Sequence, residues 1–140
     1  MPIDELKGKV ALVVEDDADY AALLAENLRE GGLEVDVALE IDQALQRIAE
    51  RKPDLITLDI QMPRDSGILL FRRLRSMERF CEIPVVVVTG LTVEDQEMKD
   101  IIQTFLERDG LRPPSAYLEK PVVSGELQKA VALALSDASA

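Results

Sequence analysis

Along the chain, short apolar runs alternate with longer stretches whose apolar residues recur at helical spacing. Val10-Ala-Leu-Val-Val14 is the first run, flanked by Gly8 and by acids, and reads as a buried strand. From about Ala18 to Glu30, Tyr20, Leu24 and Leu28 share one helical face, and Gly31-Gly32 stops the helix. Leu33 to Leu39 alternates apolar and polar, as a strand with one exposed face does. Ala44, Leu45 and Ile48 mark a second helix from Ile41, closed by Pro53. Leu55, Ile56 and Leu58 form the next run, which ends on Asp59. A loop with Pro63 and Gly67 follows, and Ser66 is placed to cap a third helix carrying Leu70, Leu74 and Met77.

Pro84 opens Val85-Val-Val-Val88, the most strand-like run, which Thr89 and Gly90 end. A fourth helix is expected from about Glu94 to Arg108 through Met98, Ile101, Ile102 and Phe105, broken by Gly110 and Pro113-Pro114. Ser115 to Glu119 reads as a short strand, Lys120-Pro121 as a turn, and the last helix from about Ser124 carries Leu127, Val131, Ala134 and Leu135. Five strands alternating with five helices predict an α/β fold. Right-handed crossovers place the strands in one doubly wound parallel sheet with helices on both faces. The 140 residues suffice for one domain, with its core over about 9–135.

In such a sheet, ligands bind beyond the carboxyl ends of the strands, where strand order reverses. Four apolar runs deliver polar residues to that rim: Glu15-Asp16-Asp17, Asp59, Thr89-Gly90 and Lys120-Pro121. Asp17 and Asp19 are explained by helix capping, but Glu15 follows its strand directly. Three carboxylates packed without a cation would repel one another, so a divalent-metal site is the sharper reading. Lys120 is placed to pair with Asp59 or a phosphoryl oxygen, and Thr89 to bond a phosphoryl oxygen. A carboxylate nucleophile, a metal, a cation and a hydroxyl together make a phosphoryl-transfer site.

Composition narrows the alternatives. Sixteen basic against 27 acidic residues give a net charge of −11, which argues against nucleic-acid and anionic-membrane binding. The chain has no histidine, which removes a Ser-His-Asp hydrolase and any His-based zinc site. Its one cysteine, Cys81, permits no internal disulfide and reads as a small hydrophobe. No apolar run approaches spanning length and no signal peptide is visible, so a cytoplasmic protein is expected.

The sequence resembles the receiver domain of two-component response regulators, a flavodoxin-like fold, from Lys9 to about Leu135. The residues that carry the resemblance are the acids in Val13-Val14-Glu15-Asp16-Asp17, then Asp59-x-x-Met62-Pro63-x-x-x-Gly67, Val88-Thr89 and Tyr117-x-x-Lys120-Pro121. The resemblance implies that Asp59 accepts a phosphoryl group from a histidine kinase or phosphotransfer protein. It implies Mg2+ ligated by Asp16, Asp59 and the backbone carbonyl of Gln61, with Glu15 acting through a metal-bound water. Lys120 would pair with the phosphoryl group and Thr89 would be drawn toward it. Tyr117 would then turn inward and remodel the face of the fourth helix, fifth strand and fifth helix, where a protein target binds. The Lys120-Pro121 peptide would be cis. Such a protein is no enzyme beyond its own phosphorylation and dephosphorylation, and is a monomer or a phosphorylation-linked dimer.

The chain departs from the family pattern in Glu15 for the commoner aspartate and Gly90 where alanine is frequent. It also has a longer segment from Thr89 to Lys120, read as a longer fourth helix and a stiffer loop. Only Ser136 to Ala140 follows the last helix, so the expected output is protein–protein contact unless the chain is a fragment. A degenerate receiver serving only as an interaction module is the main alternative. A haloacid dehalogenase-type phosphohydrolase wants a second Asp where Gln61 stands, and a flavodoxin-like nucleotide site wants a Gly/Ser/Thr-rich loop where Glu-Asp-Asp stands. Gln61, two residues past Asp59, is expected to tune the lifetime of the aspartyl phosphate.

Overall fold

The computed structural model describes residues 6–92, 94–107 and 112–139. Five strands, β1 (Val10–Val14), β2 (Glu34–Ala38), β3 (Leu55–Leu58), β4 (Val85–Thr89) and β5 (Ala116–Glu119), form one sheet in the order β2-β1-β3-β4-β5. Every pairing is parallel. The helices are α1 (Ala18–Glu30), α2 (Ile41–Glu50), α3 (Ser66–Ser76), α4 (Gln96–Glu107) and α5 (Ser124–Ser139). This is the doubly wound, flavodoxin-like arrangement expected above, with the order reversing between β1 and β3.

The central strands are buried on both faces, and successive side chains feed two separate cores. Leu12 and Val14 join Ile56, Leu58, Phe71, Leu74 and Met98 on one face, whereas Ala11 and Val13 join Leu24, Leu28, Val86, Val88, Leu127 and Val131 on the other. Edge strand β2 is only partly covered, which is why it alone alternates with acids. Main-chain bonds carry the ladders past the strand ends and set the height of the rim. The N–H of Glu15 donates to Ala38 O (3.1 Å), that of Asp59 to Val14 O (3.0 Å), and that of Lys120 to Thr89 O (2.8 Å).

Helix boundaries differ from expectation where side chains intervene. α3 ends at Ser76, whose Oγ donates to Arg73 O (2.9 Å), and the chain then turns through Met77 N to Leu74 O (3.2 Å). Met77 therefore leaves the apolar face and is exposed. α4 starts at Gln96 rather than Glu94 because Thr92 and Asp95 bond each other first. Asp95 Oδ2 accepts from Thr92 N (2.8 Å), and Thr92 Oγ1 accepts from Glu94 N (3.3 Å). α4 is described to Glu107, and its expected end at Arg108 lies outside the described residues. Ile101, on the apolar face of α4, is half-buried against the core. The expected break at Gly110 and the side chains of Ser66, Ile102 and Phe105 lie outside the described residues.

Candidate functional site

Two glycines fix close turns of the chain, Gly32 at the foot of the sheet and Gly67 at the rim. Gly32, at φ 102°, lets the chain reverse after α1. Gly67, in the first turn of α3, lies so close to the end of β3 that a Cβ would stand 2.3 Å from Asp59 O and 2.8 Å from Ile60 Cα. Only glycine allows α3 to pack there. Between them, Arg64 adopts φ 61°, a left-handed conformation that bends the loop after Met62 and Pro63.

Glu15, Asp16, Asp59, Thr89 and Lys120 all reach the carboxyl end of the sheet, as their positions after apolar runs predict. Glu15 and Asp59 are 1% and 4% exposed, whereas Asp16 faces solvent. One carboxylate oxygen from each of these three lies within 4.8 Å of the others. Lys120 Nζ bonds Glu15 Oε1 and also Asp59 Oδ2 (3.2 Å), so one ammonium bridges two buried carboxylates. Asp59 Oδ1 accepts from Gln61 N (2.8 Å), and Glu15 Oε2 from Asp17 N (3.1 Å). Asp17 caps α1 by accepting from Asp19 N and Tyr20 N, as its position suggests.

Burial pushes the Glu15 carboxyl up to about 7, with the neighbouring Asp59 charge adding to the rise. The bonds from Lys120 and Asp17 N oppose it without cancelling it. Burial acts to lower the Lys120 ammonium, but its bonds to Glu15 and Asp59 reverse the sign and leave it raised. Three carboxylates thus share one lysine, and the atoms they offer are all oxygens. That is the chemistry a hard divalent cation such as Mg2+ satisfies, with Glu15, Asp16 and Asp59 as the residues able to hold it.

Thr89 is buried, and its hydroxyl donates to Gln61 Oε1 (3.2 Å). Tyr117, on β5, is half-buried against the core that contains Met98, and burial raises its phenol. The Lys120-Pro121 peptide is cis. Cys81 is partly buried and its thiol donates to Glu78 O (3.5 Å). A cleft of about 590 Å³ beside Asp16 runs between the start of α2 and α3, lined by Leu39, Met62, Arg64, Leu69 and Arg73 among others.

Sequence reasoning placed Tyr20 only on the apolar face of α1. It does pack on that face, but its ring also lies 4.6 Å from Lys120 Nζ, and its hydroxyl accepts from Val122 N (2.9 Å). Tyr20 thus supports the lysine from beneath and pins the chain just past it. The available signal was a tyrosine where an aliphatic residue would have filled the face. Gln61 stands beside Asp59 as its sequence position predicts, and its side chain also bonds Thr89 and Gly90, contacts that no local pattern marks.

The profile of the response regulator receiver domain matches residues 11–132. The chain is 38% identical over 94 residues to the phosphate regulon transcriptional regulatory protein PhoB of Pseudomonas aeruginosa, covering 67% of this chain and 41% of that protein. It is 36% identical over 117 residues to the transcriptional regulatory protein PrrA of Mycobacterium tuberculosis, covering 83% and 45%. The chain thus spans less than half the length of these relatives. Among solved structures, the signal receiver domain of a histidine kinase from Syntrophus aciditrophicus superposes with a TM-score of 0.78 at 27% identity, covering 93% of this chain and 92% of that one. The receiver domain of NtrX from Brucella abortus gives 0.73 at 29% identity, covering 90% and 98%. With this fold, this rim of acids and lysine, and a matching profile over most of its length, the chain belongs to the response regulator receiver domain family.

Proposed function

We propose that the chain is a phosphoacceptor that takes a phosphoryl group from a histidine kinase or phosphotransfer protein onto Asp59. The observation that carries this reading is the single ammonium of Lys120 bridging buried Glu15 and Asp59, with solvent-facing Asp16 beside them. In the transfer, the phosphorus–nitrogen bond of a phosphohistidine breaks as a bond to an Asp59 carboxylate oxygen forms. The imidazole leaves with the electron pair. Lys120, already held between two carboxylates, shifts its partnership toward a phosphoryl oxygen.

Glu15, Asp16, Asp59 and the Gln61 carbonyl are the groups that would hold Mg2+. When bound, the ion neutralises phosphoryl oxygen charge. The modification adds roughly −1.5 to −2 charges to the rim. Thr89 and Tyr117 lie along the route from there toward α4, β5 and α5, the face we assign to a downstream protein. On this reading the protein acts in the cytoplasm, over about residues 9–135, and catalyses nothing beyond its own phosphorylation and dephosphorylation. Among the described residues no helix is long and apolar enough to cross a membrane.

The test is incubation with acetyl phosphate, with and without magnesium, read by intact mass. One added phosphoryl group that needs magnesium and is lost in Asp59→Asn is the expected result. No addition under any condition would remove the phosphoacceptor reading.

A further inference from the structure

Gln61 acts at both ends. Its main-chain N–H donates to Asp59 Oδ1 (2.8 Å), while its side-chain Oε1 reaches the end of β4 and accepts from Thr89 Oγ1 (3.2 Å) and Gly90 N (3.0 Å). The amide orientation follows from its partners: Gly90 N–H can only donate, so the atom facing it is the oxygen. Facing an acceptor, the Thr89 hydroxyl must then give its one proton to Gln61. The same Thr89 oxygen accepts from Leu91 N (3.2 Å), which ties the beginning of the segment after β4 into the arrangement.

We propose that the Gln61 side chain is a latch, a positioning residue that holds the Thr89 hydroxyl and the Gly90 main chain in the resting state. An acceptor oxygen attached to Asp59 recruits Thr89 only by displacing Gln61 Oε1. A hydroxyl carries one proton, so the two acceptors compete for it. The competition rests on Asp59 being the phosphoacceptor, whereas the resting latch does not.

Gly90 fits this role for a reason of space. Its φ is outside the left-handed region, so glycine is not needed for backbone freedom. A Cβ at this position would stand 3.0 Å from Gln61 Oε1 and meet no other atom within 4 Å. The missing Cβ is the room the amide occupies. An alanine there presses on the far end of the Gln61 side chain. This allows the latch to be loosened without touching the carboxylate.

The experiment compares Gln61→Ala, Gly90→Ala and the double variant with the native chain. Gln61 is exposed, so its truncation leaves the core intact. Two quantities are read: exchange protection of the main-chain amide at position 90 in the resting protein, and affinity for beryllofluoride, an acyl-phosphate mimic, with magnesium. Losing one net hydrogen bond predicts that Gln61→Ala lowers protection and tightens beryllofluoride binding, each by roughly two- to tenfold. Gly90→Ala shifts both in the same direction by less, and adds nothing in the Gln61→Ala background. Unchanged protection, weaker binding in Gln61→Ala, or additive effects in the double variant would each overturn the latch. Failure of the native chain to bind beryllofluoride would instead remove the reading of Asp59, and the competition with it.

Discussion

Among the described residues, half-buried Lys120 and buried Arg75 lie at opposite ends of the sheet and are balanced in opposite ways. Lys120 lies at the carboxyl ends of the strands and bonds two carboxylates, Glu15 and Asp59. Arg75 lies at the end of α3, is 4% exposed, and among the described residues bonds main-chain carbonyls rather than carboxylates. Its Nε donates to Arg112 O and its Nη1 to Ile83 O, both at 2.8 Å, and its guanidinium stacks 4.8 Å from the Phe71 ring centre. Nη2 has no hydrogen-bond partner among the described residues. Burial, with the nearby Arg112 charge, brings the Arg75 guanidinium down to about 10.

The difference separates a responsive site from a fixed one. Carboxylates can trade a lysine for a metal or carry a phosphoryl group, so the balance around Lys120 can be redrawn. Main-chain carbonyls ahead of β4 and β5 cannot move without the strands they precede. Arg75 therefore joins α3 to the feet of two strands. A planar, delocalised guanidinium suits that place because its fork fits carbonyls while its face rests on an aromatic ring.

The contrast is broken most severely at Lys120. Lys120→Met should slow phosphoryl uptake from acetyl phosphate by about 100-fold or more, as loss of a preorganised charge partner does. A loss under tenfold in a mass-resolved time course would mean that the lysine is not a partner of the incoming group. Arg75→Met should do the reverse. It strands the Ile83 and Arg112 carbonyls and should lower unfolding stability by about 2–3 kcal/mol, with uptake kept within about twofold. Urea denaturation at matched slopes checks the first part, and the acetyl phosphate assay the second.

Tyr20 sharpens the picture of how Lys120 is held. Tyr20→Phe removes only the bond to Val122 N and should cost about 1 kcal/mol of stability. Tyr20→Leu also removes the ring beneath Lys120 and should slow uptake a further few-fold, on the order of the 0.5–1 kcal/mol of a partly exposed cation–π contact. Equal uptake in the two variants would show that the ring does not support the lysine. The smallest effect belongs to the exposed pair of Arg51 and Glu34, 3.1 Å apart. Arg51→Ala should change stability by less than about 0.5 kcal/mol and leave uptake alone, which makes it a control for charge removal as such.

Much of this was legible in the chain. The bounds of β1 and α1 follow from Val10–Val14 and from Ala18–Glu30 with its glycine stop, because burial on a regular element imposes a period that survives in sequence. Glu15, Asp59, Thr89 and Lys120 could be placed on one rim for the same reason: each ends or follows a parallel strand, and parallel strands end on one side. Met77 and the start of α4 were misplaced because Ser76, Thr92 and Asp95 side chains capture main-chain groups that periodicity does not count.

What the sequence by itself determined, then, was the set of elements, their layering, and which polar residues arrive at the functional end of the sheet. Only the tertiary structure decided how those residues are joined. Gln61 meets Thr89 across 28 positions, Arg75 meets Arg112 across 37, and Tyr20 meets Val122 across 102. Such contacts depend on the register of neighbouring strands and on where a helix stops. A local pattern records a residue's own burial and leaves no mark of the distant group it will touch.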